Sequence, residues 1–144
     1  MQQDEDPRPI RGGAFDYRGA AIPEYAPEHD DEPDPGEVVW AWVPFEEDPS
    51  RGKDRPLAVV GRAIDKPGDL VCFLLSSKDR SDDDDRVLIG SGAWDEEHRP
   101  SWANISRPLA VVHQAVRREG GELSREQFDA VVDAARRRFP GNPR

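Results

Sequence analysis

Residues 36–79 read GEVVWAWVPFEEDPSRGKDRPLAVVGRAIDKPGDLVCFLLSSKD. Three apolar runs in this stretch, at residues 38–45, 57–60 and 70–75, are rich in Val, Trp, Leu and Phe and are separated by turn-forming residues. Such a pattern predicts three consecutive β-strands. The first connection, residues 46–55, is longer than a hairpin requires, which is typical of a loop with a function. We therefore expect the functional residues of the chain in this stretch.

Basic and hydroxyl side chains lie at the ends of these predicted strands. They are Arg51, Lys53 and Arg55 in the first loop, and Ser76, Ser77 and Lys78 after the third strand. A planar guanidinium with several donors stabilises negative charge on a phosphate better than an ammonium does. The structural alternative is an ion pair of Arg55 with Asp54 or Glu46, and a Ser76 hydroxyl that hydrogen-bonds to its own backbone. The residue pattern alone favours this structural alternative.

The rest of the chain predicts further strands and a terminal helix. Apolar residues on both faces of the first strand are typical of a strand curled inside a small barrel. Residues 86–89 and 104–112 predict two more strands, although Pro108 must lie at an edge, bend or bulge because it cannot donate to a ladder. Ser124 with a glutamine three residues later forms a capping box, and residues 128–139 have helical apolar spacing. The fold class indicated is mainly β with a C-terminal helix.

The N-terminal residues differ in composition from the rest. Residues 1–36 contain ten acidic residues and three arginines, a charge of −7 out of −10 for the whole chain. The many prolines and few aliphatic residues predict a disordered, acidic, Pro-rich tail over residues 1–35, followed by one domain over residues 36–140. Because the domain itself is nearly neutral, the acidic total does not exclude a local basic groove.

Several classes of site are excluded by composition. Cys72 is the only cysteine, so neither an intramolecular disulfide nor a Cys-rich zinc site is expected. The run of aspartates at residues 82–85 predicts a solvated loop, because consecutive carboxylates cannot all face one metal ion. No apolar run approaches the roughly 18 residues of a membrane span, and the N-terminus has no signal-type apolar region. We expect a cytoplasmic protein with no metal, no cofactor and no membrane association.

The order of these motifs resembles the PemK/MazF family of toxins from type II toxin–antitoxin systems. The family pattern begins with a Gly-Asp-Val-Val-Trp-type strand, here at residues 36–40, and continues with a loop ending in Arg-Pro, here at residues 55–56. A strand ending in Thr-Ser-Lys follows, here residues 76–78, and Leu-Ser-x-x-x-Phe opens the last helix at residues 123–128. The resemblance covers about residues 35–138. It implies a small SH3-like β-barrel of the MazF/CcdB type, normally paired as a two-fold dimer.

The resemblance also implies a function. It indicates a metal-independent endoribonuclease that cleaves single-stranded RNA, including mRNA, to a 2′,3′-cyclic phosphate and a 5′-hydroxyl. Arg55 matches the catalytic arginine of the family, and Ser76 replaces the commoner threonine that hydrogen-bonds the scissile phosphate. The other residues expected to bind RNA are Arg51, Lys53, Ser77 and Lys78. The implied partners are a cognate antitoxin protein, a second copy of the chain in a homodimer and, for the toxin–antitoxin complex, DNA.

Two other functions stay open from the sequence. One is a non-catalytic protein on the same barrel that binds nucleic acid or another protein, as gyrase inhibitors do. The other is a housekeeping SH3-like interaction module whose acidic tail recruits partners. The presence of both Arg55 and Ser76 favours the endoribonuclease. The acidic tail either competes with RNA for the basic groove or only keeps the protein soluble.

Overall fold

The structure is a computed structural model that describes residues 13–27, 33–66, 68–78 and 82–139. In these ranges eight β-strands form one antiparallel sheet, and one α-helix follows the last strand. The elements are β1 (Phe15–Asp16), β2 (Ala21–Pro23), β3 (Glu37–Pro44), β4 (Gly52–Ala63), β5 (Asp69–Ser76), β6 (Arg86–Gly90), β7 (Ser101–Val112), a short 3₁₀ helix (His113–Ala115), β8 (Arg118–Glu122) and α1 (Arg125–Arg138). The predicted fold class, mainly β with a C-terminal helix, is confirmed.

Both faces of the sheet are buried, as the apolar pattern of the first strand predicted. The strand order is β1-β7-β5-β4-β3-β8, with β2 added beside β4 and β6 beside β7. Val38 and Val39 belong to different apolar clusters because successive strand side chains point to opposite faces. The cluster of Val38 includes Val131 of α1, and the cluster of Val39 includes Leu109 of β7. Each fully buried side chain of this size contributes about 1.5–3 kcal/mol to the free energy of folding.

The first hairpin connection is shorter than predicted, so the expected loop over residues 46–55 is wrong. β4 begins at Gly52, and its register pairs Val43 with Lys53 and Ala41 with Arg55. Backbone pairing with the long strand β3 outweighs the low strand propensity of lysine and aspartate. The consequence is that Arg55 lies on a paired strand, whose backbone is fixed on the β3 side.

Strand β8 was missed because it has no apolar alternation. Its sequence, REGGE, contains two glycines, and the pairing with β3 shifts register between Val38 and Val39. Gly121 has a φ of 112°, a conformation that favours glycine. A Cβ atom at Gly120 would lie 3.0 Å from Nε1 of Trp40 and 3.1 Å from Cβ of Trp94, so this glycine allows two tryptophans to pack closely.

Two local predictions in the C-terminal half are confirmed. Pro108 lies in a register shift of the β5–β7 ladder, between the pairs Leu109↔Cys72 and Asn104↔Leu74. In the capping box, Ser124 Oγ accepts a hydrogen bond from the Gln127 backbone N–H at 3.0 Å. The Gln127 side chain accepts one from the Ser124 N–H at 2.9 Å. The helix therefore begins where the sequence predicted.

The prediction of a disordered tail over residues 1–35 is wrong for residues 13–27, which we call the N-terminal strap. β1 pairs with β7 through Phe15↔Ala110, and β2 pairs with β4 through Ile22↔Arg62. Composition failed here because two very short strands need only a free sheet edge to pair with, and not a core of their own. Residues 1–12 and 28–32 lie outside the described residues, and the domain boundary at residue 36 stays a prediction.

Arg62 pairs with two acidic residues of the predicted tail, Glu24 of the strap and Asp34. Arg62 Nε lies 3.6 Å from Glu24 Oε1, and Arg62 Nη2 lies 3.7 Å from Asp34 Oδ1. These two carboxylates are therefore neutralised on β4. The other carboxylates expected to compete, those of residues 28–32, lie outside the described residues. Among the helices described, none has the length and apolar character needed to cross a membrane.

The capping box gives a direct test of how α1 begins. Ser124→Ala removes the acceptor for the Gln127 N–H, so we expect the free energy of unfolding to fall by about 1 kcal/mol. Urea denaturation followed by circular dichroism measures this change. Ser91→Ala, which removes an exposed serine hydroxyl, is the control and should change stability by less than about 0.5 kcal/mol. Equal stability of the two variants would contradict a stabilising cap.

Candidate active site

An open groove of about 680 Å³ crosses the ends of β4 and β5 under the loop of residues 91–100. Its lining includes five of the six residues that the sequence selected, namely Lys53, Arg55, Ser76, Ser77 and Lys78. Arg51 does not line the groove. It lies exposed in the turn before β4, where its backbone N–H donates to the Asp48 carbonyl at 2.9 Å. The fold thus gathers residues from two separate parts of the sequence and leaves one of the expected residues aside.

Arg55 is half-buried in the groove, directly before Pro56 on β4. Burial, together with the positive charge of Arg86, lowers the pKa of its guanidinium. Arginine nevertheless stays protonated in proteins. The two carboxylates proposed as structural partners contact other arginines: Asp54 lies 3.9 Å from Arg117, and Glu46 lies 4.0 Å from Arg107. No ion pair of Arg55 itself occurs among the described residues, so its charge is available to a ligand.

Arg86 is a residue near the site that the sequence analysis missed. It opens β6 opposite Asn104 of β7, and its side chain is 19% exposed, with Nε 3.4 Å from Asp83 Oδ2. Its charge acts on Arg55, so two guanidinium groups raise the local positive potential. In the sequence, only its position at the start of a predicted strand was visible. Nothing there indicated that β6 lies close enough to β4 for the two charges to interact.

Ser76 is the last residue of β5, and its hydroxyl is fixed by the chain that follows. Its Oγ accepts a hydrogen bond from the Lys78 N–H at 3.1 Å, which is the local backbone contact that the structural alternative expected. A hydroxyl that accepts one bond keeps its own O–H for donation. The contact orients Ser76 and leaves its proton available, and both Ser77 and Lys78 are exposed beside it.

Part of the groove lining is acidic, and we call this part the acidic wall. Asp95, Glu96 and Glu97 line it, in the loop between β6 and β7. Arg99 donates two hydrogen bonds to Asp95, at 2.8 and 3.2 Å, and these bonds lower the pKa of the Asp95 carboxyl. Glu97 lies 3.4 Å from the same guanidinium. A polyanion in the groove would therefore run along the wall of Lys53, Arg55 and Lys78.

The acidic wall is anchored by Trp94. The indole is buried, and its Nε1 donates a hydrogen bond to Ser101 Oγ at 2.8 Å. Ser101 is itself buried at the start of β7, so this bond joins the loop to the sheet. The buried hydrogen bond and the packing of Trp94 against Gly120 hold this loop against the sheet.

The described residues include no group of three or more His, Cys, Asp or Glu side chains arranged to hold a metal ion. Two members of the aspartate run contact arginines. Asp83 lies 3.4 Å from Arg86, and Asp85 accepts a hydrogen bond from Arg138 Nε at 3.0 Å. The run is therefore joined by one ion pair to strand β6 and by another to helix α1.

Comparison with known proteins identifies a family. Residues 34–139 match the sequence profile of a family described as PemK-like, MazF-like toxin of type II toxin–antitoxin system. The match begins after the N-terminal strap and covers all the groove residues. No curated protein sequence matches the chain significantly.

Solved structures of an endoribonuclease and of MazE–MazF have the same fold. An endoribonuclease in complex with its cognate antitoxin, from Mycobacterial species, has a TM-score of 0.58 at 13% identity, covering 78% of this chain and 99% of that one. MazE–MazF from Deinococcus radiodurans has a TM-score of 0.59 at 15% identity, covering 78% of this chain and 100% of that one. At such low identity, the similarity establishes the fold alone.

Ser101→Ala tests the anchor of the acidic wall. The substitution leaves a buried indole N–H without its acceptor, so the free energy of unfolding should fall by about 1–3 kcal/mol. Urea denaturation measures the loss. Ser101→Thr keeps the hydroxyl and is the matched variant, which should recover most of the difference. A Ser101→Ala protein as stable as the unmodified chain would show that the bond contributes nothing.

Proposed function

The chain belongs to the PemK-like, MazF-like toxin family of type II toxin–antitoxin systems, and on that premise we propose that it is an endoribonuclease that cleaves single-stranded RNA without a metal ion. The observation that carries the proposal is that Arg55 and Ser76 line one open groove, on the adjacent strands β4 and β5. An open groove admits an extended polymer. Metal independence is taken from the family resemblance.

Cleavage in this groove would be an internal transfer of the phosphate. The RNA 2′-oxygen forms a bond to the adjacent phosphorus, and the bond from phosphorus to the 5′-oxygen breaks. The 2′-hydroxyl gives up its proton and the departing 5′-oxygen gains one, so the products are a 2′,3′-cyclic phosphate and a 5′-hydroxyl. No water is consumed in this step. What the protein must supply is stabilisation of the charge that grows on the non-bridging oxygens.

Arg55 is suited to that task by its position. A half-buried guanidinium acts through a lower effective dielectric than an exposed one, which strengthens its attraction for the developing charge. Ser76 contributes one further donor to the phosphate. Lys53, Ser77 and Lys78 would bind neighbouring phosphates, since these contacts fix the register of a nucleic acid. Arg51 lies outside the groove and is left out of this proposal.

Membership of this family also supports a proposal about the partners of the chain. The two similar structures are described as complexes with an antitoxin, and we propose an antitoxin partner and a two-fold homodimer for this chain as well. DNA binding by the resulting complex and a cytoplasmic location also belong to the proposal. Two large aromatic side chains of β3 are already in contact with other parts of the chain: Trp40 lines the groove, and Trp42 packs against Gly13 of the strap.

A second candidate function is nucleic-acid binding without cleavage. The observation that favours it is the acidic wall of Asp95, Glu96 and Glu97, which lines the same groove and repels an RNA backbone. This function predicts that RNA binds and remains intact. A cleavage assay separates the two candidates.

Arg55→Ala should abolish RNA cleavage, lowering the rate by about 10²–10³-fold, because it removes the donor for developing charge. Ser76→Ala should cost less, about 1–3 kcal/mol of transition-state stabilisation, because a single hydrogen bond is lost. A single-stranded RNA with a fluorophore and a quencher, incubated in EDTA, measures the rate. Arg51→Ala is the matched control and should cleave normally. Full activity of Arg55→Ala, or a requirement for magnesium, would contradict the assignment.

Removing negative charge from the acidic wall should raise the affinity of the protein for RNA. In the double variant Glu96→Gln, Glu97→Gln, we expect RNA to bind about two- to fivefold more tightly at low salt, because two repulsive charges are gone. The gain should shrink as salt rises. Fluorescence anisotropy across a salt series measures it, with Glu126→Gln on α1 as a control outside the groove. An unchanged affinity at low salt would mean that the RNA does not pass this wall.

A further inference from the structure

The β3–β4 hairpin carries Lys53 and Arg55, and the N-terminal strap contacts it. The backbone N–H of Ala14 donates to the Trp42 carbonyl of β3 at 2.8 Å. Gly13 lies so close to the same residue that a Cβ atom there would come within 2.5 Å of the Trp42 carbonyl oxygen and 2.7 Å of its ring. Trp42 pairs in register with Asp54, the residue between Lys53 and Arg55.

A second contact reaches the tip of the hairpin. Arg107 of β7 donates from Nε to Asp16 Oδ1 of the strap at 2.8 Å, and the same Nε lies 4.0 Å from Glu46 Oε2 in the hairpin connection. The Arg107 side chain is only 10% exposed, so this ion pair is screened less by salt than a surface pair would be. The next strap residue, Tyr17, donates its backbone N–H to the Pro108 carbonyl at 3.0 Å.

The remainder of the strap is attached elsewhere on the molecule. Glu24 donates its backbone N–H to Val60 of β4 at 3.0 Å, and its carboxylate pairs with Arg62. Tyr25 donates its hydroxyl to the Leu123 carbonyl, just before α1, at 2.7 Å. These contacts involve residues outside the hairpin of β3 and the first part of β4. The strap therefore has one end on the hairpin and the other on the body of the protein.

We propose that residues 13–16 are a positioning clamp, which holds the β3–β4 hairpin and thereby sets the location of Arg55 in the groove. This inference rests on the proposed RNA cleavage for its kinetic consequence. An isolated two-stranded hairpin is only marginally stable. Contacts with the strap should therefore reduce the motion of the β3–β4 hairpin. A shift of about 1 Å in a reacting group costs up to about 10²-fold in rate, which makes such a clamp effective.

The alternative is a purely structural role, in which the strap only covers sheet edges and stabilises the fold. In that case the loss of any strap contact should lower the free energy of unfolding in proportion to the strength of that contact, wherever the contact lies. The clamp predicts a different result, since only contacts to the hairpin should alter the site. The structure offers control positions for this comparison, and one of them, Glu24, lies on the same strap.

The test uses full-length protein and five substitutions, the last of which is a rescue variant. Gly13→Ala inserts a methyl group against Trp42, and Asp16→Ala removes the partner of Arg107. The controls are Gly68→Ala, where a Cβ meets no atom within 4 Å, and Glu24→Ala, which breaks the pair with Arg62. Hydrogen–deuterium exchange reports the backbone of residues 40–55, and steady-state kinetics on single-stranded RNA reports kcat and KM.

We expect faster exchange at residues 40–55 in Gly13→Ala and Asp16→Ala, with unchanged exchange at residues 70–75 of β5. In the same two variants kcat should fall about tenfold, and KM should change less than about twofold, because the loss concerns positioning rather than RNA affinity. Asp16→Glu, which keeps the carboxylate, should restore both readouts.

Three results would overturn the clamp: unchanged exchange at the hairpin in both test variants, an equal effect in Glu24→Ala, or faster exchange with an unaltered kcat. If the unmodified chain cleaves no RNA, the proposed function fails. The exchange experiment would then still decide whether the strap holds the hairpin, since it requires no activity.

Discussion

The antiparallel pairing of β3 with β4 is the interaction on which the rest of the structure depends. It aligns seven residue pairs from Val38↔Ala58 to Pro44↔Gly52, and the far half of β4 then pairs with β5. Because side chains alternate along a strand, a slip of one residue would exchange the two faces of β4. Leu57 would move from its own apolar cluster to the cluster on the opposite face, and Arg55 would turn away from the groove. The core and the site are therefore specified by the same register.

Much of this arrangement was predictable from the sequence. The strands at the centre of the sheet are marked by apolar runs, and the start of α1 by the capping box at Ser124, because in both cases the signal is local. Elements stabilised mainly by pairing with a distant edge could not be predicted in this way. Strand β8 and the strap have little apolar pattern, and their partners lie far away in the sequence. Within the site, Arg55 and Ser76 came from the ordered motifs of a family, whereas Arg86 and the acidic wall emerged only from the fold.

The groove combines two walls of opposite charge, and this combination restricts what can occupy it. A uniformly basic groove attracts any polyanion, whereas an opposing row of carboxylates repels one that lies too near the middle. Arg99 neutralises part of this row by pairing with Asp95. The remaining negative charge should keep a phosphate backbone close to the basic residues of β4 and β5. The same carboxylates would attract a cationic segment of a protein partner.

Gln127 links the start of α1 to the edge of the groove through the two ends of one side-chain amide. Its oxygen accepts from the Ser124 N–H in the capping box, and its nitrogen donates to the carbonyls of Ile89 and Ser91 at 2.9 and 3.1 Å. A capping box is satisfied by glutamate as well as by glutamine. A carboxylate, however, has no donor for the two carbonyls and would face them with like charge. The choice of an amide at residue 127 is thus dictated by a carbonyl of β6 and another just after it, and not by the helix itself.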